Sequence, residues 1–303
     1  MFEKLLSRRG LSFERLKNFA DIAEAGSITR AADGDPARQS LMSRQIRELE
    51  EFFGAELTRR KGKGLEVTPA GLELARQIRF QLQSLEDFKL SCANEALEYR
   101  FAAGNSVLEW MLIPALPKIE AAVPGLHFSL YDTRSRDIVN GLLDHRFDFG
   151  FVRKSAVVEP LKYTPLGKIG YALYEPADWA KKRPQTTKLA VTEGVEFLKE
   201  LGQAAAQKKK ILTPTHLCTN FTQAAQLVRS GVAAAILPVV AEIALKDCAT
   251  RIELPWLSKY RREIGIAWHE RLLDTRPKAK EMLEALKNAV NKNFNHGGCR
   301  SLG

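Results

Sequence analysis

Six side chains between Arg38 and Arg47 could read or grip a nucleic acid: Arg38, Gln39, Ser40, Ser43, Arg44 and Arg47. Arg and Gln can each present paired hydrogen bonds to a base edge, the contacts that tell guanine and adenine apart in the major groove. A second basic group follows at Arg59, Arg60, Lys61 and Lys63 around a glycine turn, with Arg30 upstream of both. Cations in a turn suit phosphates or the minor groove. The bland alternative is a solvated charged helix beside a charged turn.

A different chemistry sits further along. Asn105-Ser106, Thr133-Arg134-Ser135 and Thr219-Asn220 each fall where a strand gives way to a helix. Such junctions line ligand crevices in open α/β sheets, and helix N-termini with nearby hydroxyls bind carboxylates or phosphates. Arg134 and Arg153 could pair an anion. Plain helix capping by Ser106, Ser135 and Asn220 accounts for the same residues without a ligand. No Walker-A pattern, G-x-S-x-G or H-E-x-x-H occurs, so an enzyme is not expected. The five histidines have no metal-ligand spacing, and the four cysteines, Cys92, Cys218, Cys248 and Cys299, are too scattered for a zinc site. No cofactor is expected beyond a small-molecule effector, for which an anion is one candidate class.

The elements that must hold these groups follow from periodicity. Phe13, Leu16, Phe19, Ala20 and Ala23 recur at helical spacing, and Gly26 suits a left-handed cap. Ser27 can cap a short helix over 28–32. Asp35-Pro36 pairs an N-cap with a first-turn proline, opening a helix to Phe53 with Leu41, Ile46, Leu49 and Phe53 on one face. Gly54 closes it. Two strand-like runs around the Gly/Lys turn predict a hairpin. The layout is a winged helix-turn-helix, whose second helix enters the major groove. Thr68-Pro69 then opens a helix to about Ala96 carrying Leu72, Ala75, Ile78, Leu82, Leu85 and Phe88, a seam suited to a partner helix. From Tyr99 strands and helices alternate, which predicts α/β structure with a mostly parallel sheet. One helix is expected over 107–122, another over 239–245, and strands at 170–174, 189–191, 234–237 and 264–268.

Composition bounds the rest. A hydrophobic fraction of 45% over 303 residues excludes whole-chain disorder and favours two or three domains. No apolar run approaches membrane-spanning length and residues 1–10 lack a signal-peptide core, so a cytoplasmic protein is expected. The net charge of +10 is uneven: residues 1–95 hold 16 Lys and Arg against 15 Asp and Glu, while 96–303 hold 30 against 21. The basic excess therefore lies mainly outside the helix-turn-helix, and global charge is weak support for nucleic-acid contact.

The run from Phe13 to Gly71 resembles the N-terminal domain of LysR-type transcriptional regulators. The resemblance rests on residues 16–32 (LKNFADIAEAGSITRAA), on 43–50 (SRQIRELE), on the hairpin and on Thr68-Pro69-Ala70-Gly71. Weaker similarity continues through 141–149 and 228–238. It implies a dimerising linker helix and a C-terminal periplasmic-binding-protein-like α/β effector domain of two subdomains. Expected boundaries are 11–69 for the DNA-binding domain, 70–96 for the linker helix and 97–295 for the effector domain. Two features depart from the family pattern. Arg38-Gln39-Ser40 stands where Ser-Gln-Pro is usual, and the turn Asp33-Gly34-Asp35-Pro36 is acidic. The expected function is sequence-specific, effector-responsive DNA binding by a homodimer or homotetramer. The alternative is a small-molecule-binding protein whose N-terminal helices only dimerise.

Overall fold

The computed structural model describes residues 11–61, 64–93, 95–181, 187–193, 199, 201–203, 206, 213–257 and 260–296. They form two compact units, one running to Glu95 with Leu143–Arg146 added, the other holding Ala96–Leu142 and the chain from Phe147 on.

The first unit contains α1 (Phe13–Ala25), α2 (Ile28–Ala31), α3 (Pro36–Phe53), the antiparallel pair β1 (Thr58–Lys61) and β2 (Gly64–Val67), and α4 (Pro69–Ala93). Its boundaries are made by single residues. Gly26 and Gly54 adopt φ of 60° and 66°, where a side chain is strained. Ser27 accepts the Arg30 N–H at the start of α2, and Asp35 accepts those of Ala37 and Arg38 at the start of α3. The Thr68 hydroxyl accepts the Gly71 N–H at 3.0 Å and donates to the Glu56 carbonyl at 2.7 Å. A Cβ on Gly71 would collide with the Leu57 carbonyl oxygen, so only glycine lets α4 start this close to the wing.

Phe19, Ile22, Met42, Ile46, Leu49, Leu57, Ala75 and Ile78 form one core, where a large apolar side chain contributes roughly 1.5–3 kcal/mol on burial. The buried face of α3 is Met42, Gln45, Ile46 and Leu49 rather than the expected Leu41, Ile46, Leu49 and Phe53. Leu41 lies at its edge, and Phe53 sits in the last turn with 39% of its surface exposed. Gln45 is tolerated inside because its side-chain carbonyl accepts from Asn18 at 2.8 Å. Glu50 accepts the N–H groups of Leu57 and Thr58 at 2.9 and 3.0 Å, fastening the wing to α3.

The second unit is a nine-stranded sheet with flanking helices. Its elements are β3 (Leu97–Ala103), α5 (Asn105–Val107), α6 (Leu116–Ala122), β4 (Leu126–Asp132), α7 (Ser135–Leu143), β5 (Phe149–Arg153), β6 (Leu161–Pro176) and β7 (Leu189–Thr192). They continue with β8 (His216–Cys218), α8 (Phe221–Arg229), β9 (Ala234–Pro238), α9 (Glu242–Leu245), β10 (Ala249–Ile252), β11 (Arg261–His269), α10 (Leu272–Thr275) and α11 (Ala279–His296). The strand order is β4-β3-β5-β11-β6-β9-β7-β8, with β10 also on β6. The sheet is mixed, not mostly parallel. Parallel triplets β4-β3-β5 and β8-β7-β9 are joined through antiparallel β11 and β6. Nine of the first ten residues of β6 pair with β11, Leu166 being passed over at a bulge, and its last six pair with β9 and β10. One strand thus serves both halves.

The expected helix over 107–122 is broken into α5, a π turn at Leu108–Leu112, a 3₁₀ turn at Ile113–Ala115 and α6. Pro114 explains the break: it has no N–H to donate and its ring opposes the carbonyl four residues back. Just before it, Ile113 N–H bonds the Leu108 carbonyl five residues back. Likewise 239–245 is a 3₁₀ turn, Val239–Ala241, followed by α9. Arg276 and Asp148, 4% and 5% exposed, form an ion pair under the sheet. The Arg276 guanidinium lies 4.5 Å from the Tyr99 ring centroid, and Asp148 accepts the Arg100 N–H at 2.7 Å. The segment just ahead of α11 is tied in this way to β3.

Candidate nucleic-acid interface and ligand cleft

On α3, Ser40, Ser43, Arg44 and Arg47 stand at i, i+3, i+4 and i+7, one face of a helix. Ser40, Arg44 and Arg47 are exposed and Ser43 is half-buried, while the opposite face is in the core. Arg44 keeps a loose ion pair with Glu48 at 3.8 Å and leaves 70% of its side chain in solvent. Arg59 and Arg60 are exposed on β1, and Arg30 at the end of α2. Lys61 ends β1, and Lys63 lies outside the described residues.

Arg38 and Gln39 are placed differently. Both are tied back to the turn that precedes α3. Arg38 donates to the Asp33 carboxylate at 2.9 Å. The Gln39 amide accepts from Thr29 Oγ1 at 3.2 Å and donates to the Gly34 carbonyl at 3.1 Å. Each amide end retains one further hydrogen-bonding position.

The eight residues expected at strand–helix junctions meet in one cleft of about 710 Å³ within the second unit. Asn105, Ser106, Thr133, Arg134, Ser135, Arg153, Thr219 and Asn220 all line it. The cause is topological. β3, β4, β5, β7 and β8 all end there, and antiparallel β11 begins there. Capping accounts for only part of the set. Asn220 caps α8, accepting from Gln223 N at 2.8 Å. Ser106 lies inside α5, whose cap residue is Gly104, and Ser135 is the first residue of α7. Thr222 donates to Asn105 Oδ1 at 2.5 Å, linking the two halves of the cleft floor.

Sequence reasoning missed Thr192, Glu193, Phe221 and Arg262, which also line the cleft. Thr192 is 8% exposed, and its hydroxyl has no hydrogen-bond partner among the described residues. Arg262 donates to Tyr260 Oη at 2.7 Å. Cys218, near the cleft in sequence, is buried, and burial pushes its thiol pKa up, so it stays protonated at neutral pH. That opposes a role as a thiolate oxidant sensor. Among the described residues no group of three or more His, Cys, Asp or Glu could hold a metal ion. No helix among them is long and apolar enough to cross a membrane.

Along α4, Ala75 and Ile78 are buried in their own unit's core and Leu82 packs against it. Ile78 therefore does not belong to a free seam. Two turns beyond it, Leu85 continues nearly the same face and is 51% exposed, with Phe88 beside it at 69%.

Residues 13–72 match the model of the bacterial regulatory helix-turn-helix protein, lysR family. Residues 93–291 match the LysR substrate binding domain. Among curated relatives, the HTH-type transcriptional regulator MetR of Haemophilus influenzae is 26% identical over 246 residues, 75% of this chain and 78% of its own. The crystal structure of ArgP from Mycobacterium tuberculosis superimposes with a TM-score of 0.66 at 16% identity, covering 92% of this chain and 97% of that one. Full-length CbnR complexed with its target DNA does so with a TM-score of 0.52 at 20% identity, covering 92% and 100%.

Proposed function

This chain belongs to the LysR family of transcription regulators, and from that premise we propose that it binds specific duplex DNA through α3 and the wing, under control of a small anionic effector held in the cleft. The boundaries that go with this reading are 11–69, 70–96 and 97–295. The observation that carries it is the helical face of Ser40, Ser43, Arg44 and Arg47, backed by the buried Met42–Leu49 face. That arrangement presents donors at the major groove without disturbing the core. Arg59, Arg60, Lys61 and Lys63 meet phosphates beside it, and Arg30, Arg38 and Gln39 flank it. Asn105, Ser106, Thr133, Arg134, Ser135, Arg153, Thr219 and Asn220 contact the effector.

The exposed Leu85 and Phe88 extend an apolar face beyond the core that covers Ile78. A second copy of α4 covers them, so the active form is a homodimer or a higher homo-oligomer. An effector shifts DNA binding only through different affinities for two arrangements of the heads.

The test is selection of bound sequences from random duplexes, followed by affinity measurement at several salt concentrations. The expected outcome is one enriched motif and a log–log salt slope of about −0.9 per phosphate contacted. Replacing Arg59 and Arg60 by Ala weakens all sequences alike and flattens that slope. Recovery of no motif, with binding that ignores salt, favours the small-molecule-binding alternative.

A further inference from the structure

We infer that the effector carries two anionic groups, one held at the hydroxyl-rich end of the cleft and the other by an arginine pair, Arg153 and Arg262. This rests on the reading of the cleft as the effector site and goes further by naming the ligand class.

The pair follows from sheet register. Arg153 is opposite Ile264 in the antiparallel β5–β11 ladder, and Arg262 is two residues from Ile264 on β11. Residues two apart on a strand share a face, and diagonal neighbours lie about 7–8 Å apart. Arg153 and Arg262 therefore stand side by side on one face, at the mouth where β5 ends and β11 begins. Both line the main cleft, and both also line a second depression of about 490 Å³, formed with Lys154, Ser155, Tyr260, Arg261 and Glu263. The pair is the wall that the two hollows share.

Charge separates the two ends. In the main cleft Arg134, Arg136, Arg153 and Arg262 face Asp132, Asp137 and Glu193, four cations against three carboxylates. Among the described residues the annex is lined by Arg153, Lys154, Arg261 and Arg262 with Glu263. Cations gather around the arginine pair, and a guanidinium with five N–H donors can grip a carboxylate or phosphate beside the contacts it already makes. The other end has a different donor type. Thr192 is more than nine-tenths buried and lines the cleft, and its hydroxyl has no partner among the described residues. A buried polar group left unpaired is costly unless a ligand or water completes it. Thr219 adds a hydroxyl beside it, since Cys218 pairs with Thr192 in the β7–β8 ladder and the nine-residue helix α8 starts just after. A molecule with a single small anion satisfies one end and leaves the other. A cleft of about 710 Å³ is large enough for an elongated molecule that reaches both.

Calorimetric titration of the full-length protein tests this with three probe series: unbranched aliphatic dicarboxylates of increasing length, monocarboxylates of matched length, and ω-phosphorylated carboxylates. The last two series distinguish whether the second group is needed and whether it is a carboxylate or a phosphate. At the optimal length a dianion is expected to bind at least tenfold more tightly than its matched monoanion. Arg262→Gln should reduce that advantage to under threefold while leaving the monoanion within twofold, and Arg153→Gln should act in the same direction. Arg262→Lys should restore part of it, and circular dichroism checks that each variant is folded. Thr192→Val should weaken monoanions and dianions together. Equal affinity for both classes, with Thr192→Val still weakening each, overturns the two-anion inference and leaves the cleft reading intact. No binding by any series, or binding indifferent to Thr192→Val, Arg153→Gln and Arg262→Gln, removes both.

Discussion

The Arg38 guanidinium donates to the Asp33 carboxylate at 2.9 Å across the turn that opens the recognition helix, and Asp33 holds a left-handed φ of 52° to make the contact. The two side chains are 49% and 81% exposed, so the pair contributes little to folding. Its consequence lies in binding. An acid beside the helix N-terminus repels phosphate and occupies an arginine that would otherwise grip any backbone. Asp33→Asn is expected to raise affinity for random duplex about threefold or more at low salt, and to raise affinity for the preferred site less. Fluorescence anisotropy on both duplexes at two salt concentrations measures the ratio. An unchanged ratio means that Asp33 has no part in discrimination.

Gln39 and Arg44 are expected to differ in kind. Gln39→Ala should cost about 1–3 kcal/mol on the preferred site and little on random DNA, because an amide pairs bidentately with adenine. Arg44→Ala should weaken both duplexes similarly if it contacts phosphate. Gln39 also ties Thr29 to Gly34, so thermal melting of Gln39→Ala must accompany the binding data. A loss of affinity that is equal on both duplexes moves the base-reading face to Ser40, Arg44 and Arg47.

Leu85→Glu places a charge on the exposed apolar face of α4. Burying it unpaired between two copies costs several kcal/mol, so sedimentation should show dissociation at concentrations where the parent chain is dimeric. Leu82→Glu should instead lower the melting temperature of the N-terminal unit, since Leu82 packs on its core. A full-strength dimer from Leu85→Glu contradicts pairing of α4 through this face.

Burial raises the Cys218 thiol pKa. The folded state therefore disfavours thiolate, which the unfolded chain forms freely. Stability is unaffected below the ordinary thiol range near ~8.5 and falls as pH rises through it toward the raised value. Cys218→Ala should flatten that alkaline limb. Peptide mapping after iodoacetamide should show Cys218 alkylated far more slowly than exposed Cys92 at pH 8. Comparable rates would mean that Cys218 is not sequestered.

The caps were legible in the sequence because each needs only one or two residues: Gly26, Ser27, Asp35-Pro36, Gly54 and Thr68-Pro69 all stand where their chemistry predicts. Long-range pairing was not. β8 and β10, of three and four residues, are too short to show an alternating pattern. β6 runs for 16 residues, yet Pro165, Gly167 and Gly170 interrupt its apolar pattern, so only its last part reads as a strand. The loss of parallel character follows from β6 and β11, whose antiparallel partners are far away in sequence. In the cleft, junction residues were readable because a strand-to-helix change marks them locally. Arg262 is the second residue of an antiparallel strand, and Thr192 ends an unremarkable four-residue strand, so neither carries a local signal.

The order in which the sheet is assembled has a consequence for synthesis. β3, β4 and β5 are made early, but the strand that covers the open edge of β5 is β11, more than a hundred residues later. Trp268, which packs near Phe149, arrives with it, and α11 closes the same layer last. A nascent chain that has completed β10 therefore still presents β5 as a bare, apolar edge. Unpaired edges of this kind recruit other strands. Fragments that stop short of β11 are expected to aggregate or to be degraded, even though they contain every strand of the β8-β7-β9 triplet. The segment from β11 to α11 thus acts as the closing step of the second unit's sheet.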